Sequence, residues 1–371
     1  MLRHFLLIFL CIYSSAANAA WYNPAWNYRT KITIQASSVN GTVTELPVFV
    51  DLSHLPGSFF DNVSANGADL RVTSSDGSTE IAREVVSLSK TANTGELWFK
   101  APSLSSAANT EFYIYYGNNT ASEPLANSTF GSQNVWSNGF VAVYHMNAVT
   151  NGTASVLDST SSAYHGTPRG GMATLGSGIA GNAIAFDGSN DFISSGIAFS
   201  NPERTICSWV NHTNKDTPGT QRYLSLTNEA NVLRQQAAGF TQYMFNQSAV
   251  FYGASENSTV NNTWYYFCGV WDASTGLAYR NANQVISYAF TGLPRNVGSL
   301  SISTGAETMN GRIDEVKIST KARNRNWIQT EYNNQNSPLS FYTLSAEQGS
   351  LTEFPHRLNV TINASQVNGS V

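Results

Sequence analysis

The stretch GELWFKAP, Gly95 to Pro102, decides the fold. In it Glu96, Trp98 and Lys100 alternate with Leu97, Phe99 and Ala101. Successive side chains on a strand point to opposite faces, so this alternation reads as a half-buried strand. Similar runs flank it: KITIQ (31–35), LPVFVDL (46–52), ADLRVTSS (68–75), IAREVVSL (81–88) and NTEFYIYYG (109–117). Turn signals such as Asn40-Gly41, Asn66-Gly67 and Asp76-Gly77 separate them. Strands at this spacing with no helical period predict a β-sandwich over residues 20–136. The polar run GNNTASEPLANST (117–129) reads as a linker.

About a dozen further strand-like runs fill residues 137–347, among them GFVAVYHM, NAIAFDG, RTICSWV, TWYYFCGVW and RIDEVKIS. That is too many for one sheet, and two packed sheets, a jelly roll, satisfy the number. One helix is predicted near the end. Asn324 caps RNWIQTEYNN, with Ile328 and Tyr332 four residues apart on one face. The fold class is therefore all-β, with one short C-terminal helix.

Composition excludes several alternatives. Only 12% of the 371 residues are charged, against about 25% in an average domain, so Glu/Lys-rich coiled coils and helical bundles are out. A net charge of −4 argues against nucleic acid as a partner. A 42% hydrophobic content excludes charge-rich disorder.

The ends are informative. Residues 1–19 read as a signal peptide: Arg3 and His4, then the apolar FLLIFLCIY, then Ala17 and Ala19 in an A-x-A cleavage pattern. Nine apolar residues are too few to span a bilayer, which disfavours an anchor. The expected address is secreted or extracytoplasmic. Cys207 and Cys268 then remain in the mature chain, and an even pair in an exported protein suggests one disulfide, two buried free thiols being the alternative. Residues 26–43 (WNYRTKITIQASSVNGTV) and 354–371 (FPHRLNVTINASQVNGSV) are identical at 9 of 18 positions without a gap. Residues 348–371 are therefore expected to begin a second copy of the first domain, with further domains downstream.

From these residues a resemblance follows. The segments FDGSNDFI (186–193), TICSWV (205–210), TWYYFCGVWDASTG (263–276) and GRIDEVKIS (311–319) resemble a laminin-G-like, concanavalin A-like jelly roll. Pentraxins, relatives of that fold, join cysteines at the positions of Cys207 and Cys268, which implies the same bridge here. The usual Y-x-N-G turn reads Tyr279-Arg280-Asn281-Ala282, so an altered hairpin is expected there. Residues 26–118 resemble a bacterial domain of unknown function, number 2341. That family commonly precedes a laminin-G-like domain and also occurs in MotA/TolQ/ExbB-type proton-channel proteins. The resemblance implies a bacterial, extracytoplasmic, multidomain protein and no particular activity.

No catalytic constellation stands out. Asp314 and Glu315 are the best acidic pair, but adjacent strand residues face opposite ways and position 312 is Arg, so the expectation is structural: Asp314 orders a loop and Glu315 faces solvent. His145 and His165 read as structural histidines. Gly176, Gly178 and Gly181 spell GxGxxG, yet a strand follows where a dinucleotide site needs a helix, so they read as turn glycines. No cofactor is committed; Asp158, Asp187, Asn190 and Asp191 are the candidate ligands should Ca²⁺ bind. Trp21 and Trp136, at the domain edges, are the candidate exposed platforms for a sugar ring. The functional expectation is an exported, non-enzymatic recognition or adhesion module. It would take a glycan or a cell-surface protein through jelly-roll rim loops. Two alternatives stand beside it: the ectodomain of a proton-channel assembly, and an accessory domain of a polysaccharide-degrading enzyme.

Overall fold

The computed structural model describes residues 19–350, apart from residues 217–218, 227–230, 237–239, 248–249, 258, 273 and 290–295. Most of the signal segment and the whole second copy of the repeat lie outside the described residues.

The protein is all-β, with antiparallel sheets and short helices. GELWFKAP lies in the strand Thr94–Leu104, between Val43–Asp51 and Arg83–Ser89 in a three-stranded sheet. Facing it is a sheet built on Tyr28–Ile34, Thr110–Tyr116 and Arg71–Ser74. Leu97, Phe99 and Ala101 point into the core between the two, with Ile32, Val48, Val50, Phe112 and Ile114. The predicted linker is tied down: Glu123 pairs with Arg83, and the Ser122 carbonyl accepts from Arg71.

The second sandwich packs an eight-stranded sheet on a seven-stranded one. Ile206, Val210, Phe267, Trp271, Ile313 and Val316 face inward against Tyr223, Leu224, Ile193 and Ile302. The strand Glu203–His212 lies between Trp264–Asp272 and Asn310–Ser319. Its Cys207 sits directly opposite Cys268, and the two form a disulfide. The bridge projects from the outer face of that sheet and is buried. It closes a loop of 61 residues, for which loop entropy gives about 4 kcal/mol. A Cys207→Ser/Cys268→Ser double variant should lose about that much in a denaturant titration. A loss under about 1 kcal/mol would mean that the bridge contributes little. The hairpin after Tyr279 is retained despite the missing glycine: Asn281 and Ala282 both take left-handed φ, 49° and 60°.

The helix Arg325–Asn336, capped by Asn324 Oδ1 accepting from the Trp327 amide, joins the two halves. Trp327 and Ile328 enter the first domain's core. Asn334 hydrogen-bonds both the amide and the carbonyl of Phe49. Toward the jelly roll, Gln335 accepts from the Trp209 indole, and Tyr332 stacks on Trp209. The chain then returns to the first domain. Tyr342–Leu344 pairs with Ile32–Ile34, and Gln348–Gly349 with Tyr28–Arg29. The sheets therefore do not divide at residue 347: the last described segment, after the jelly roll, completes the first sandwich.

Candidate functional site between the domains

The polar face of GELWFKAP does not meet water. Glu96 and Trp98 are fully buried against the outer face of the eight-stranded sheet. There they join His145, which follows the strand Phe140–Tyr144, and Glu315 and Lys317 on Asn310–Ser319. A β-bulge makes this possible. Cys207 pairs with Lys317 and Trp209 with Asp314, so Glu315 and Val316 together oppose Ser208. Glu315 takes a left-handed φ of 48° at the bulge. Asp314, Glu315 and Lys317 thereby all leave the jelly-roll core and turn toward the first domain. Glu315 does not face solvent; it is completely buried.

The contacts form one connected cluster. His145 Nδ1 lies 2.6 Å from Glu315 Oε1 and 3.5 Å from Glu96 Oε1, while Nε2 lies 3.4 Å from Glu84 Oε2. Lys317 Nζ bridges Glu315 Oε2 at 3.0 Å and Glu331 Oε1 at 3.1 Å, and sits 4.2 Å from the centre of the Trp98 ring. Donors orient the acids. The Trp98 indole and Asn147 amide donate to Glu96, Trp136 and Ser159 to Glu84, and Tyr266 to Glu331. Burial pushes the Glu96 carboxyl up to about 8, against the pull of His145. Burial alone would lower His145, but the charge and hydrogen bond of Glu315, then Glu84, hold it well above its ordinary value. Burial would likewise raise Glu315, but His145 and Lys317 bring it below the usual range. Lys317 is raised, because Glu315 and Glu331 outweigh its burial.

Asp314 does order a loop. Its Oδ2 accepts from the amides of Ile179 and Ala180, inside the GxGxxG segment. A Cβ on Gly178 would lie 2.4 Å from that oxygen, and one on Gly181 would lie 2.7 Å from Glu96 Oε2. These glycines let a jelly-roll loop reach the buried acids. Burial, then the charge of Glu315, pushes the Asp314 carboxyl well up.

Of the other candidates, Trp136 belongs to this cluster. Trp136 is no exposed platform: it is buried under Trp98 and His145 with its indole N–H on Glu84. Trp21 is half-buried, with Arg29 over its ring and its N–H on the Trp26 carbonyl. Asp158 accepts from the amides of Val143, Thr160 and Tyr164. Asp187, Asn190 and Asp191 share the turn between Asn182–Asp187 and Phe192–Ser195, where Asp187 and Asp191 also accept from turn amides. His165 accepts from the Asp158 amide.

Two of the clefts at the domain junction lie beside this cluster. The larger, about 470 Å³, has Asp51, Ser53, Ser87 and Thr94 on the first domain's side and Gly178 and Asn182 on the jelly roll's. The smaller, about 270 Å³, runs between Val85 and Leu157 and reaches Glu84 and His145.

These features define a two-domain, all-β protein whose second domain is a jelly roll docked on the first through buried charges. Residues 66–132 match the family described as Domain of unknown function (DUF2341), and residues 185–329 match the Concanavalin A-like lectin/glucanases superfamily. The chain thus carries a DUF2341 domain followed by a concanavalin A-like domain. No curated protein matches it. Among solved structures it is similar to the binding domain of botulinum neurotoxin serotype D (11% identity, TM-score 0.44, 53% of this chain and 52% of that one). It is also similar to domain 4 of AbnA, a GH43 extracellular arabinanase from Geobacillus stearothermophilus, in complex with arabinotriose (18%, 0.42, 53% and 98%). The chain spans about half the length of the toxin domain. Among the described residues no helix is long and apolar enough to cross a membrane.

Proposed function

We propose that the protein is an exported recognition module that binds a glycan in the larger interdomain cleft. The jelly roll contributes the rim loop Gly178–Asn182, and the first domain contributes the opposite wall. The observation that carries this reading is the chemistry of the cleft. Hydroxyls of Ser53, Ser87, Ser89 and Thr94 and the amide of Asn182 surround a single carboxylate, Asp51. Such groups hydrogen-bond sugar hydroxyls, whereas hydrolysis calls for two carboxylates flanking the bond. Asp314 and Glu315 are occupied within the fold. A disulfide and a concanavalin A-like domain suit an oxidising, extracytoplasmic compartment.

Ser53 and Thr94 are exposed on the cleft wall, so Ser53→Trp and Thr94→Trp fill it without disturbing the core. On a glycan array the full chain should bind at least one glycan, with and without EDTA. Each variant should weaken that binding by about tenfold or more, or ~1.4 kcal/mol, with its melting temperature unchanged. A blank array overturns the glycan reading. Binding that survives in both variants removes the cleft from it.

A further inference from the structure

We infer that Glu96, His145 and Glu315 form a binding site for one divalent transition-metal ion, held between the two domains. Among the described residues these are the one group of three or more His, Cys, Asp or Glu side chains whose ligand atoms lie within 4.8 Å of one another. Each comes from a different strand or strand end, one in the first domain and two in the second. The site is independent of the glycan cleft.

Three observations support it. The first is geometric. Ligands at 2.0–2.1 Å on a tetrahedral ion stand about 3.3 Å apart. The His145 Nδ1–Glu96 Oε1 distance, 3.5 Å, is close to that value, and the 2.6 Å hydrogen bond to Glu315 Oε1 would open by about 0.7 Å as the ion replaces its proton. The second is the outer shell. A metal-bound imidazole characteristically gives its other nitrogen to a carboxylate, and His145 Nε2 faces Glu84 Oε2. Glu84 is itself fixed by Trp136 and Ser159, and Glu96 by Trp98 and Asn147. The third is charge. Four carboxyl groups, Glu84, Glu96, Glu315 and Glu331, meet one lysine and one imidazole, so acidic groups outnumber basic ones. Glu315 Oε2 accepts no hydrogen bond of good geometry and has the Lys317 ammonium as its neighbour. A dication on Nδ1 would replace the proton there and offset the surplus. One nitrogen and two carboxylate oxygens suit Zn²⁺ or Mn²⁺ better than Ca²⁺, which takes oxygen ligands. The smaller cleft, reaching His145 and Glu84, is the route in.

The test uses the full, untagged chain, stripped with chelator and titrated with ZnCl₂ by calorimetry, with bound metal measured by mass spectrometry. The expected result is one Zn²⁺ per chain and a raised melting temperature. Glu96→Gln, which keeps the shape and the indole contact, and His145→Gln should each weaken binding by about 100-fold or more. Glu84→Gln, a positioning change, should weaken it by about 10- to 100-fold. Asp187→Asn, in the distant turn, should leave it unchanged. If His145→Gln does not fold, Glu96→Gln decides alone. A chain that takes up no Zn²⁺ overturns the inference and leaves the cluster as an ion-free salt bridge. Binding that persists in Glu96→Gln overturns it as well.

Discussion

Lys317→Met should destabilise the protein by about 3–5 kcal/mol, measured as the loss in a urea titration followed by circular dichroism. Lys317 is 3% exposed and is the ammonium shared by Glu315 and Glu331. Removing one partner of a buried ion pair leaves an uncompensated charge in a medium that solvates it poorly, and that desolvation cost is the source of the loss. Methionine keeps most of the side-chain volume, so a cavity contributes little. The contact of the ammonium with the Trp98 face is lost too, a smaller effect of about 0.5–2 kcal/mol. The double variant Lys317→Met/Glu331→Gln separates the causes. Gln keeps an acceptor for the Tyr266 hydroxyl, now bonded to Glu331 Oε2 at 2.9 Å, while removing one stranded charge. It should recover about half of the loss. If Lys317→Met costs under about 1 kcal/mol, the two acids are not both ionised beside it, and the electrostatic account of the interface fails.

Both sandwiches are legible in the sequence because their strands alternate cleanly, and the helix because its cap and its i, i+4 pair are local. What alternation leaves open is the nature of the second face. In GELWFKAP the period correctly separates Leu97, Phe99 and Ala101 from Glu96, Trp98 and Lys100. It is equally compatible with water or another domain on the polar side. Only Lys100 turns out to be near the surface, bonded to Asn134 and Ser137. Asp314 and Glu315 illustrate a second limit. A two-residue period puts adjacent acids on opposite faces, and a bulge suspends that rule. The bulge arises from the pairing of Asn310–Ser319 with Glu203–His212, which no local pattern encodes. One signal did exist. In a chain with 12% charged residues, Glu96, Glu315 and Lys317 stand inside apolar strand runs. Burying a lone charge is costly, so isolated charges in such strands point to partners elsewhere in the chain. The GxGxxG glycines carry a related signal, since two of them give way to buried carboxylates rather than to a phosphate.

The first sandwich should not fold when cut out at the boundary the sequence suggests. A fragment of residues 20–136 is expected to be unfolded, whereas residues 20–350 fold cooperatively. The reason lies in the closing segment. Within the fragment, Tyr28–Ile34 keeps its pairing with Thr110–Tyr116 but loses Tyr342–Leu344 and Gln348–Gly349 on its other side. An unpaired edge strand is a site of aggregation. The core also loses Trp327, Ile328, Phe341 and Tyr342, all buried in the cluster that contains Ile32, Val50 and Phe99. A fully buried side chain of that size contributes about 1.5–3 kcal/mol, so four of them approach the whole stability of an ordinary domain, about 5–15 kcal/mol. On the other face Phe49, Trp98 and Glu96 lose their cover. Far-UV circular dichroism and limited proteolysis of the two chains make the comparison. A protease-resistant, cooperatively melting 20–136 fragment would show that the returning strand is dispensable and that the buried charges join two independent domains. The expected collapse would mean instead that the jelly roll is an insertion between the body of the first sandwich and its last strands. The glycan cleft and the charged cluster would then belong to a single rigid body.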